Sequence, residues 1–143
     1  MANIVPDSFK TDLLEGTFNF ASSGGSTFRL ALYTDISGFS TSTTAYTTTN
    51  EVSSSGTNYT AGGNTLTNNG VAVASNTAYV DFADLTFSSV TLTADSALIY
   101  KDTSNEAVLV LDFGGDKTAT NGDFVIQFPT ADATNAIIRL GDA

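Results

Sequence analysis

The chain has 143 residues and a mass of 14.8 kDa, one domain's worth of sequence and enough to bury a core without metal or disulfide support. Fifteen acidic residues against five basic ones give a formal net charge of −10, which argues against a nucleic-acid or anionic-lipid partner and favours solubility or a partner with basic patches. Cysteine and histidine are both absent, which removes thiolate chemistry, histidine-based triads and nearly all zinc chemistry.

Only 14% of the residues are charged, and the polar surface is supplied by 15 Ser and 23 Thr instead. Threonine suits a pleated, half-exposed strand, so composition alone points to an all-β protein. The first segment, MANIVPDSFKTDLLEG, has no basic stretch followed by an apolar run, so no classical signal peptide is expected. It reads instead as the one helix of the chain. Asp7 or Ser8 caps it, Pro6 precedes it and Gly16 ends it. Phe9, Leu13 and Leu14 form a narrow apolar stripe over about two turns. A helix so short must lie on something, either its own sheet or a neighbouring subunit.

From there the period changes to two. Residues 27–34 (TFRLALYT) alternate, with Phe28, Leu30 and Leu32 on one face and Arg29, Ala31 and Tyr33 on the other. Residues 36–64 are poor in aliphatics and carry Tyr46, Glu51, Val52, Tyr59 and the Gly62-Gly63 pair. A loop of that length in a small domain is functional or mobile as a rule, and it has room for one short strand. Strands are then expected at 66–68 and 71–74 around an Asn69-Gly70 hairpin turn, and at 78–82, 85–93, 96–101, 107–113, 123–128 and 135–140. Turn chemistry separates nearly all of them, at Thr103-Ser104-Asn105, Gly114-Gly115-Asp116 and Asn121-Gly122. The near-continuous apolar runs at 107–111 and 136–140 read as central strands covered on both faces. Short gaps require antiparallel neighbours. The expected fold is therefore all-β, an antiparallel β-sandwich of eight or nine strands with the jelly roll as one such arrangement, plus one short N-terminal helix. Residues 1–20 form an arm or short helix packed on or beside a single sandwich domain over 21–143. No internal repeat or linker interrupts it, and no apolar stretch is long enough to span a membrane.

Few motifs suggest chemistry. Asp112-Phe113-Gly114 spells a kinase tripeptide without the other kinase motifs, and Gly114 to Thr118 is a faint phosphate-loop echo with the wrong glycine spacing. Both read as turn. Asp81, Asp84, Asp95, Asp102, Asp112 and Asp116 are calcium-ligand types, but the loop spacing of a calcium cage is missing and strand-end acids usually serve turns. A glycosidase needs paired carboxylates across a sugar cleft, yet there is no Trp to build a sugar platform. Asn58-Tyr59-Thr60 is a glycosylation sequon that reads as loop here. No general base or activated nucleophile is recognisable, so the expectation is a non-enzymatic protein with no cofactor and no metal site.

One ordered set of segments is distinctive: Asp7 to Lys10 with Leu13, Leu14 and Gly16, then residues 30–34 (LALYT), 46–52 (YTTTNEV) and 59–63 (YTAGG) with Leu66. It continues through 97–100 (ALIY), 110–115 (VLDFGG), 124–129 (FVIQFP) and 136–139 (AIIR). In that order the segments resemble a family of small virion structural proteins of tailed bacteriophages, from about residue 7 to 140. The resemblance implies a particle protein located on the virion and assembled in the host cytoplasm. The first choice is a capsid decoration, or cement, protein that bridges major capsid protein subunits as a homo-oligomer, dimer or trimer. The alternative is a neck or tail component, structural or receptor-binding. The family brings no residue with an assigned role. The contact surfaces nominated from the chain itself are the arm, with Phe9, Leu13 and Leu14, and the loop, with Tyr46, Glu51, Val52 and Tyr59. Neither nucleic acid nor membrane is expected as a partner.

Overall fold

The computed structural model of the chain describes residues 2–142. Helix α1 spans Asp7–Leu14, and the strands are β1 Phe28–Tyr33, β2 Asn64–Thr65, β3 Asn68–Ala74, β4 Thr77–Phe82, β5 Leu85–Lys101, β6 Ala107–Ile126 and β7 Ile138–Leu140. They form two antiparallel sheets, β2-β1-β5-β6 and β3-β4-β7, so the fold is the all-β sandwich with one short helix that the composition and periodicity imply.

The strand count is lower than expected because two breaks in the hydrophobic period are bulges inside long strands. In β5 the core-facing positions are Phe87, then Val90, Leu92 and Ala94, then Ala97 and Ile99. Parity flips twice, at register shifts between Phe87 and Val90 and between Ala94 and Ser96. An extra residue in one strand turns every later side chain to the opposite face, so the second interruption mimics a strand end between 93 and 96. On β6, Ser96 pairs with Asp112 and Ala94 with Lys117, so Phe113 to Asp116 bulge out opposite Asp95. Gly114 and Gly115, at φ +74° and +127°, supply the left-handed backbone for that bulge, and they do not end the strand as expected. Asn121-Gly122 is likewise internal to β6. Asn69-Gly70 is another bulge, and the turn joining β3 to β4 is Ser75-Asn76, both at positive φ, which is the type I′ geometry of a tight hairpin.

The run at 107–111 is buried on both faces, yet β6 lies at the end of its sheet. Its outer edge is sealed by the chain itself. Ile4 exchanges two 2.9 Å backbone bonds with Val110, and Ala107 donates to Thr44 O at 3.0 Å. The run at 136–140 is not central either. Only its last three residues form β7, at the end of the smaller sheet, with Leu140 62% exposed.

The main core lies under β1, β5 and β6 and contains a chain of phenylalanines. Phe9 of α1 meets Phe18 at 5.1 Å, Phe20 stacks on Phe28 at 4.7 Å, Phe28 meets Phe82, and Phe82 meets Phe128. Six of the ten phenylalanines thus tie the helix and the segment after it to both sheets. At about 1.5–3 kcal/mol per buried aromatic, this chain accounts for much of the cohesion between layers. Residues 2–20 pack on the domain, with Phe9, Phe18 and Phe20 in its core. The opposite face of the four-stranded sheet is covered too. Ala31, Tyr33, Leu98, Tyr100 and Val110 lie beneath Ile4, Ile36, Phe39 and Tyr46, so residues 36–62 act as its second layer.

Candidate functional site

The densest polar arrangement is built where that loop layer meets β1 and β5. Glu51 is the only charged residue between Asp35 and Asp81, a long neutral stretch, and the fold gives it a closed set of donors. Its Oε2 accepts the Tyr46 hydroxyl at 2.7 Å, and its Oε1 accepts the Tyr59 hydroxyl at 2.7 Å and the Gly62 N–H at 2.6 Å. The Tyr59 oxygen in turn accepts the N–H of buried Leu32 at 3.0 Å. Tyr100 donates to Gly62 O at 2.6 Å and stacks on Tyr46 with ring centroids 4.7 Å apart. Tyr33 donates to Thr47 O at 2.7 Å, and Arg29 donates to the carbonyls of Gly62 and Gly63. Four of the five tyrosines and one of the five basic residues therefore converge on one carboxylate and one loop.

Local sequence explains the geometry. Alternation along β1 sends Arg29 and Tyr33 to the face opposite Phe28, Leu30 and Leu32, towards the loop. A Cβ on Gly63 would sit 1.8 Å from Leu30 O, so only glycine lets the loop backbone lie against β1 there, at φ +72°. Burial, and then the Glu51 carboxylate beside them, push the phenols of Tyr33, Tyr46 and Tyr59 above the usual phenol range. Burial raises Tyr100 as well, against the opposing pull of Arg29. The phenols stay protonated and donating across the physiological range. Chemically, the arrangement is a hydrogen-bonded clamp that fastens residues 44–63 to the sheet.

The residues nominated as a contact loop are brought together, but facing inward. Tyr59 is 3% exposed and Val52 4%, both in the main core, while Tyr46 and Glu51 are half-buried in the clamp. A solvent-facing loop would leave the Glu51 donors and the second sheet face uncovered. Of the nominated arm residues, Phe9 is buried and Leu13 packs partly against the core. Leu14 is 81% exposed because the helix ends there and its stripe is too narrow to bury both leucines. Tyr33, Tyr100, Arg29 and the backbone of Gly62 and Gly63 complete the clamp and were not nominated. The signal that could have found them is the isolation of Glu51, since a lone charge in a neutral stretch needs partners.

Most of the scattered aspartates accept hydrogen bonds from the protein itself, some in local turns and others across the fold. Asp81 accepts from Asn69 Nδ2 at 2.8 Å, Asp84 from the Phe128 N–H at 2.9 Å, and Asp95 from the Ile36 N–H and the Ser96 hydroxyl. Asp102 accepts from the Thr103 N–H, and the Gly114 N–H holds the Asp112 carboxyl below its ordinary range. Among the described residues, no group of three or more acidic side chains is arranged to hold a metal ion, and no helix is long and apolar enough to cross a membrane. The Asn58 amide donates to Ser88 O and Ser89 O at 3.3 Å, so the sequon side chain is engaged in tying the loop to β5.

No family model, curated protein or solved structure matches this chain.

Proposed function

We propose that the protein is a non-enzymatic structural component of a tailed-bacteriophage virion, a capsid decoration protein that bridges and stabilises major capsid protein subunits. The family element of the reading comes from the order of segments from Asp7 to Arg139. The observation that carries the rest is the Glu51 clamp. The residues with most chemical potential, one carboxylate and four phenols, are consumed in immobilising a long loop. Immobilised loops suit a protein whose task is mechanical, because a preordered surface loses little entropy on docking. A shell-bound protein also gains affinity from many simultaneous contacts and needs no deep pocket.

The contact surface follows from what the fold leaves outside. Leu14 is the nominated residue at the surface, and Val5 and Leu140 line the same groove between α1 and β7. The test is stoichiometry, measured by quantitative mass spectrometry of purified virions against the major capsid protein. Copies in the hundreds at a simple ratio to that protein are expected. A few dozen or fewer would overturn decoration and move the protein to the neck or tail, and absence from particles would overturn the virion reading.

A further inference from the structure

The smaller sheet ends on one side in β3, residues Asn68–Ala74 (NNGVAVA), a strand without a charged residue. Val71 and Val73 are 55% and 71% exposed, two of only six large hydrophobic residues left at the surface among those described. The neutral window runs on through the turn to Val80, so on a chain of net charge −10 this hairpin is an uncharged face. Natural edge strands are usually guarded by charge, proline or a covering segment. Here the Phe20–Ser22 segment covers only the start, through Asn68 Nδ2 to Phe20 O and the approach of Ser22 to Gly70. Beyond Gly70, among the described residues, the strand's backbone bonds to β4 alone.

The direction of the free backbone groups follows from the turn. In a hairpin closed by a two-residue turn, the flanking residues Ala74 and Thr77 exchange hydrogen bonds, and bonding alternates from there. Ala74 and Ala72 therefore address β4, whereas Val73 and Val71 point N–H and C=O away from it. Placing a two-fold axis at Ala72 sets Val71 of one copy opposite Val73 of the other, twice, and Gly70 opposite Ala74. At the two Val71–Val73 pairs outward donors face outward acceptors, so four backbone bonds form while four valines meet on one face. The sequence around Ala72 is close to a palindrome in side-chain size, as a self-pairing strand needs. Acidic side chains elsewhere would repel a second copy, but none lies within this window.

We infer that β3 is an isologous docking edge for a second copy of this chain, paired antiparallel about Ala72 to make a continuous six-stranded sheet from the two β3-β4-β7 sheets. The inference stands on the strand edge and is independent of the virion reading. A contact this short lies below the ~1,000 Å² typical of a stable interface. The dimer is therefore weak, with a dissociation constant on the order of 0.1 mM.

Sedimentation equilibrium of the full chain up to ~1 mM tests it, with amide exchange followed by NMR. The expected result is a monomer–dimer equilibrium in which the Val71 and Val73 amides gain protection with concentration. The double variant V71K/V73K sets lysine opposite lysine and should weaken dimerisation at least ~10-fold. V71K/V73E sets lysine opposite glutamate at both positions and should restore it to within ~3-fold of the parent. Both positions are largely exposed, and circular dichroism of each variant checks that it is folded. A parent that stays monomeric at ~1 mM would overturn the proposal, as would a V71K/V73K protein that still dimerises normally or a V71K/V73E protein as weak as it. Assemblies growing past the dimer would indicate a head-to-tail contact and overturn it as well.

Discussion

Replacing Tyr59 by phenylalanine isolates what the clamp contributes. The ring stays in its site against Phe87, 5.7 Å between centroids, and only the hydroxyl is lost. That oxygen donates to Glu51 Oε1 at 2.7 Å and accepts the Leu32 N–H at 3.0 Å. Loss of the bond to a carboxylate costs about 1.5–3 kcal/mol, and a buried backbone N–H left without an acceptor costs about 1–3 kcal/mol. The two losses share one atom and partly overlap, so about 3 kcal/mol is expected. For a chain of this size that lowers the midpoint by about 10 °C, at roughly 3 °C per kcal/mol. Tyr46→Phe removes one bond to the same carboxylate from a half-buried ring, and about 1 kcal/mol is expected. Urea unfolding with a common m-value gives both differences, and the double variant should be non-additive because both rings use Glu51. A Tyr59→Phe protein within about 0.5 kcal/mol of the parent, or one less affected than Tyr46→Phe, would refute the clamp as a stabilising element.

Alkaline pH gives a second test. Folded Tyr33 and Tyr59 have phenols raised above the unfolded value of 10.0, so stability is fully present below pH 10 and falls as the unfolded chain releases those protons. Each of these two buried phenols steepens the loss by up to about 1.4 kcal/mol per pH unit, and urea midpoints should fall from about pH 10 upward; a flat profile to pH 12 would refute it. Gly63→Ala should leave the protein largely unfolded by circular dichroism, because its Cβ would overlap Leu30 O, whereas Gly114→Ala, with nothing within 4 Å, should cost only about 1–2 kcal/mol of left-handed strain. Phe9→Ala should cost about 3–5 kcal/mol in urea unfolding and Leu14→Ser less than about 0.5 kcal/mol, since the first is in the core and the second is 81% exposed. Deleting residues 1–16 should for the same reason lower the melting midpoint sharply; a truncated chain as stable as the parent would refute the core role of Phe9.

The sheet-forming segments were legible because their period is a local property. Phe28, Leu30 and Leu32 alternate without interruption, and their strand lies where expected. Strand ends were less legible. A glycine pair or an Asn-Gly step signals positive φ, and positive φ serves a turn and a bulge equally well. Gly114-Gly115 and Asn121-Gly122 became bulges because β5 offers a continuous partner from Leu85 to Lys101. Centrality was misjudged at 107–111 for a related reason. Burial on both faces is written in the side chains, but what lies at the edge is decided by distant backbone, here Ile4 and Thr44. The Glu51 group was half legible: Tyr46, Glu51 and Tyr59 stand out within the loop, but their inward orientation depends on Tyr33, Tyr100 and Arg29, brought from other segments by folding.

One property of the sequence links the clamp to the free edge. Between Asp35 and Asp81 there is a single charge, and the fold treats the two halves of that neutral stretch differently. Residues 44–63 are pulled inward by Glu51, whose three donors compensate the cost of half-burying a carboxylate. Residues 68–80 have no such anchor and project as a hairpin in which Val80 is buried while Val71 and Val73 remain outside. If neutrality there served only solubility at low charge, threonine and serine would suffice, as they do in residues 40–49. Valine at both outward-bonding positions of β3 instead places apolar side chains and free backbone groups at the same two residues. Such a strand is stable at an edge only while its partner is scarce or its pairing is self-limiting. A two-fold contact satisfies the second condition, because once Val71 and Val73 of two copies are paired no edge of that strand remains.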